Sequence, residues 1–236
     1  MNMYERTIIC LANSTKPPSG RCIAGKELDG PRAGQWLRPV SSRPTREVSE
    51  EERRYETGEK AQLLDIITVP LNSHSPLGHQ TENHILADDY YWAKEGIATL
   101  NQVNALIDPY DANFWMQAES TYHGFNDKIS EPVAAGITSS LKLIAVTDLK
   151  IHVQTEEGFE GRQPRRRARA EFGYHNQTYK FSLTDPEVGE HYLRQTNGTY
   201  PIGNATLCIS LVETWNGYAF RVVASVLYPS RFGGQP

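Results

Sequence analysis

The sequence lacks the marks of several functional classes. Its 236 residues carry 24 Lys and Arg against 28 Asp and Glu, a net charge of −4. It is therefore no polycation, and any nucleic-acid contact must come from a local patch. The three cysteines, Cys10, Cys22 and Cys208, form no CxxC pair and no even framework. Read as buried, reduced thiols, they imply a cytoplasmic setting. No stretch reaches the roughly 18 apolar residues of a membrane helix, and "MNMYERTIICLANS" has no long apolar region of the kind a secretory signal needs. Walker A, GxGxxG and GxSxG patterns are missing, and neither Cys10 nor Cys22 has an evident histidine partner for nucleophilic chemistry. The expectation is a binding protein rather than an enzyme, with no catalytic residue, cofactor or metal assigned. At 39% apolar residues, the chain still has enough to bury a core, which argues against disorder.

What is present is mostly strand signal. "RTIICLAN" (6–13), "GRCIAG" (20–25), "QWLRPV" (35–40) and "AQLLDIITVPL" (61–71) are short runs bounded by turn formers. "TREVSEEERRYETGEKA" between them reads as a solvated short helix or loop starting near Ser49. The middle changes period. Leu100, Val103 and Ile107 predict an amphipathic helix over about 98–107, with Asn101 and Asn104 on its polar side and Asp108-Pro109 as its stop. Residues 123–140 read as an irregular connector. Strands resume at 140–154 and in a hairpin at 165–185 turning near His175–Asn176. A second hairpin spans 206–229, with Trp215-Asn216-Gly217 at its tip, Asn-Gly being a strong hairpin signal. Past that turn, Phe220, Val222, Ala224, Val226 and Tyr228 are expected on one face. The pattern predicts a mainly β chain: a barrel over 1–90, a helical or irregular connector over 91–138 and a second barrel over 139–236, with a single sandwich as the alternative.

Several of these pieces carry a resemblance. "IICLANSTKPPSGRCIAG", "GQWLRPVS", "QLLDIITVPL" and "GHQTENH", then "YKFSLTDPEVGEHYL" and "LCISLVETWNGYAFRVVASVLYP", resemble the dual OB domain-containing proteins of bacteria. The resemblance implies two OB-type Greek-key barrels in tandem. It also implies nucleic-acid or nucleotide binding and an association with bacterial conflict and phage-defence systems.

Four constellations suggest where such binding would occur. The stretch 20–44 sets Arg21, Lys26, Arg32, Arg38 and Arg43 around Trp36, the residue types with which OB barrels stack bases and hold phosphates. Strand alternation would put Trp36, Arg38 and Val40 on one face and Leu37 in the core. The alternative reading has Trp36 packing on a barrel rim and the arginines bridging acidic neighbours. Arg162, Arg165, Arg166, Arg167 and Arg169 form the second cluster, suited to phosphate or to an acidic protein; alternation sends Arg165, Arg167 and Arg169 to one side. The loop 73–84 crowds His74, His79, Glu82, Asn83 and His84 without a metal-ligand spacing, and His79, Glu82 and Asn83 are kept as ligand contacts because the resemblance includes the loop. Asp185, Glu187, Glu190 and His191 read as a helix cap rather than an acid–base site. The expected function is recognition of single-stranded nucleic acid or a nucleotide, as a sensor or adaptor in a defence system, with a co-encoded effector protein as a possible second partner. The alternatives are a protein-interaction subunit that regulates an enzyme, and a nucleotide-processing enzyme using the 73–84 loop.

Overall fold

The computed structural model describes residues 3–158 and 163–233. Arg162 lies outside them. The chain forms two compact units, one of Met1–Ile107 with Thr138–Leu141, the other of Asp108–Ile137 with Lys142–Pro236.

The first unit is a closed barrel of β1 (Tyr4–Lys16), β2 (Gly20–Glu27), β3 (Trp36–Val40), β4 (Asp65–His74) and β5 (Asn83–Leu86). Their order is β1-β2-β3-β5-β4, and β4 returns to β1. Strands β3 and β5 run parallel, and with β4 paired to β1 the five strands leave no free edge between them. The alternation in "DIITVPL" places Ile67, Val69 and Leu71 inside, with Ile8, Cys10, Ile23, Leu37 and Leu86. A bulge in β1 between Cys10 and Ala12 faces Gly25, where a Cβ would sit 2.1 Å from the Ile9 carbonyl oxygen. Only glycine permits that approach, which lets β1 bend round the barrel. A sixth strand, β6 (Ala93–Ile97), pairs with β4. The expected helix is shorter than its period suggested: α1 spans Leu100–Asn104 and buries Val103, while Leu100 and Ile107 stay half-buried. The 45–60 segment is no helix. Ser49 and Glu52 make reciprocal capping bonds (2.7 and 3.1 Å), yet the chain turns onward, and Val48 and Tyr55 join the core.

The second unit begins with two single-turn helices, α2 (Ala112–Trp115) and α3 (Glu131–Ala134), and a short strand β7 (Lys128–Ser130). Its barrel comprises β8 (Leu141–Glu156), β9 (Arg165–Tyr174), β10 (Gln177–Leu183), β11 (Gly198–Leu211) and β12 (Tyr218–Leu227), with α4 (Pro186–Leu193) before β11. The order is β10-β9-β8-β11-β12, closed by parallel pairing of β10 with β12. Both units therefore share one topology, the five-stranded Greek key of an OB barrel. Both hairpin turns hold. Trp215 and Tyr218 exchange backbone bonds (2.7 and 3.1 Å) around Asn216 and Gly217 at φ 50° and 77°. His175 and Asn176 occupy the same left-handed region (φ 46° and 61°). Asp185 caps α4, accepting from Val188 N at 3.2 Å, and pairs with Arg231; Glu190 and His191 face solvent.

The core face of β12 differs from the expected one. Ala219, Arg221 and Val223 point inward, and a bulge opposite Cys208–Ile209 then brings Val226 inside. Phe220 and Val222 stay half-buried on the outer side.

Candidate nucleic-acid interface

On the second barrel, a cleft of about 830 Å³ opens where the end of β8 and the start of β9 meet the β11–β12 hairpin. Strand alternation builds its first wall. Ala168, Ala170 and Phe172 enter the core, so Arg165, Arg167 and Arg169 project outward into the cleft. The Asn-Gly turn presents a second wall, with the Trp215 ring 54% exposed. A third comes from the segment 120–128, where Tyr122 is 93% exposed. Tyr218 also lines the cleft, with the Lys128 ammonium 3.9 Å from its ring centroid, a cation–π contact.

The three outward arginines play different parts. Arg169 is buried and forked onto Glu156 (2.5 and 2.9 Å), with Asp127 at 3.5 Å from its other amino group. Burial works to raise the Glu156 pKa, but the Arg169 bonds outweigh it and hold the carboxyl below its ordinary value. Arg167 is half exposed and 3.9 Å from Glu156. Arg165, paired with Glu156 in the β8–β9 ladder, is exposed. Arg166 belongs elsewhere: it donates to the carbonyls of Leu193 (2.7 Å) and Gln195 (2.6 Å), satisfying the C-terminal end of α4.

The first barrel handles its cations differently. Arg21 meets Glu50 at 3.2 Å, and Arg43 forks onto Glu52 at 2.8 Å twice. Arg21 and Arg43 thus bridge acidic neighbours. The cation over Trp36 is Lys26, its cross-strand partner, 5.4 Å from the ring. Arg38 is 2% exposed, so it lines no open groove. It pairs with Glu82 at 3.1 Å and donates to Ser140 Oγ at 2.8 Å. Ser140 in turn donates to Glu82, and Arg38 lies 3.4 Å from Asn83 Oδ1. His79, Glu82 and Asn83 are all buried. The loop 75–82, which joins β4 to β5, therefore turns His79 and Glu82 inward, and Glu82 with Arg38 and Thr81 forms a latch that holds the 138–141 segment against the first barrel.

The family model of the dual OB-containing domain matches residues 6–226. The chain belongs to the dual OB-containing domain family. No curated protein and no solved structure matched it. OB barrels bind oligonucleotides and oligosaccharides on the face of their second and third strands, between the loop joining strands one and two and the loop joining four and five. In this dual OB chain, the second barrel has its cleft at that place, and the first has the Arg38–Glu82 latch beside its own loop between strands four and five. Of the residues lining this cleft, the sequence reading singled out Arg165, Arg167 and Arg169. It missed Trp215, read only as part of a turn, and Tyr122, at the edge of a stretch read as irregular. An aromatic residue beside an Asn-Gly turn, next to an arginine cluster in the partner hairpin, was the usable signal for Trp215.

Proposed function

We propose that the second barrel binds single-stranded nucleic acid or a nucleotide in this cleft, as the recognition part of a sensor or adaptor in a bacterial defence system. One observation carries the binding reading: exposed Trp215 and Tyr122 stand beside the outward Arg165 and Arg167 at the ligand position of an OB barrel. Aromatic faces stack bases of any sequence, and guanidiniums hold phosphates. A chain with a net charge of −4 needs such a local patch to attract a polyanion. Titration of a fluorescent single-stranded oligonucleotide at several salt concentrations tests it. Trp215→Ala weakens binding by about 5- to 150-fold, the ~1–3 kcal/mol of a lost stack, with an unchanged salt slope. Arg165→Ala with Arg167→Ala flattens the log–log salt slope by about 1.4, or ~0.7 per lost phosphate contact. Absence of wild-type binding at low salt overturns the reading and favours an acidic protein partner.

A further inference from the structure

The outer face of β8, β9 and β10 is crossed by a loop. Register places its outward residues in rows: Gln154 beside Arg167, His152 beside Arg169, and Arg169 beside Ser182. Loop 119–128 spans these rows. His123 Nδ1 lies 3.4 Å from Gln154 on β8, Asp127 reaches Arg169 on β9, and Phe125 exchanges two backbone bonds with Lys180 on β10 (3.2 and 3.1 Å). The loop is a built wall. Glu119 and Lys128 close its base with two backbone bonds (2.8 and 3.1 Å). The Asp127 carboxylate accepts from Thr121 N at 2.7 Å and Thr121 Oγ1 at 2.6 Å. Gly124 allows the closure, since a Cβ there would sit 1.9 Å from the Asp127 carboxylate.

We propose that the cleft is a groove closed at one end, which takes the terminus of a single strand and excludes an internal stretch. The inference rests on reading the cleft as a nucleic-acid site. A strand passing between the β8–β9 end and the Trp215 hairpin meets the 119–128 wall and has to stop. Charge says which kind of terminus fits. Beside the wall, the carboxylates of Asp127 and Glu156 share the guanidinium of Arg169, while Arg167 meets Glu156 only at 3.9 Å and, with exposed Arg165, lies toward the mouth. Phosphates are held toward the mouth, and the terminus that reaches the wall carries a hydroxyl, because a terminal phosphate would meet like charge.

Competition by circular single strands tests this on the wild-type chain. A linear 12-nucleotide strand with hydroxyl ends binds, and the same sequence ligated into a circle binds more weakly by about tenfold or more, since specificity is a difference of affinities. Adding a phosphate to the 5′ end or to the 3′ end weakens one of the two linear strands. Equal affinity for circle and line overturns the closed groove while leaving single-strand binding standing. Indifference to a phosphate at both ends overturns the hydroxyl assignment. If neither line nor circle binds at low salt, both this inference and the binding reading fall.

Discussion

Arg38 and Glu82 are each nearly inaccessible to water and satisfy one another through direct contact and Ser140. Removing one member leaves the other as an unpaired buried charge. Glu82→Leu alone is expected to destabilise by about 3–5 kcal/mol, and Arg38→Met alone by a similar amount. The double variant should lose much less than the sum, because two apolar side chains of similar volume leave no charge behind. Urea unfolding of the four proteins gives the coupling directly. His84 offers a pH test. Burial, and then its neighbour His74, hold its pKa at about 4 instead of the ordinary 6.5. Tyr4 OH meets its Nδ1 at 2.5 Å. Between pH 6.5 and about 4 the unfolded chain binds the extra proton, so this contribution is complete above pH 6.5 and is lost as the pH falls toward 4. His84→Gln should flatten the fall in urea midpoint between pH 7 and pH 4.5. An equally steep fall in the variant would assign the dependence to other groups.

Among the elements, β12 shows how a buried cation misleads a periodicity reading. Arg221 is 1% exposed and donates from Nη1 to Asn126 O at 2.9 Å and from Nε to Phe114 O at 3.1 Å. Burial lowers its pKa to about 10, and the Phe114 ring lies 5.6 Å away. It therefore fixes the back of the 119–128 wall. Arg221→Met should cost about 2–4 kcal/mol, because the buried Phe114 carbonyl and the half-buried Asn126 carbonyl lose a charged donor, and amide exchange should quicken in 119–128. Unchanged exchange there would separate Arg221 from the wall. In the sequence this arginine counted as polar, which moved the expected core face to Phe220 and Val222. The strands with apolar runs between turn formers, and the left-handed turn residues, were legible: both hairpins, and the β1, β2, β3, β4 and β8 runs. Strands β5, β6 and β7 were not. β5 has four residues and gains its place by parallel pairing with β3, and β6 is an exposed strand without an apolar face. At the site, the arginine cluster was visible because like charges are rare neighbours, whereas partners brought in from 120–128 and 215–220 depend on closure of the barrel.

For the whole molecule, the order in which the chain visits the two units matters. It leaves the first after Ile107, builds part of the second, returns to the first for Thr138–Leu141 and then completes the second. Ser140, far along the chain from β3, is a member of the first barrel's buried network. Ser140→Ala should therefore destabilise the first barrel by about 1–3 kcal/mol, the cost of unsatisfied charged partners. Hydrogen exchange is expected to rise in β3 and 73–84 and to stay unchanged in β10 and β12. A rise confined to the second barrel would contradict the latch.

That return of four residues also bears on heredity. A crossover between two genes at any single point cannot hand on both barrels whole. A break after 107 leaves the first without Ser140, and a break after 141 strips the second of its 119–128 wall and of β7. The two barrels can diverge in sequence, one keeping a cleft and the other a latch, but no single break parts them with both complete. A single break can pass on one barrel whole only by robbing the other, so both survive recombination intact only when they are copied together.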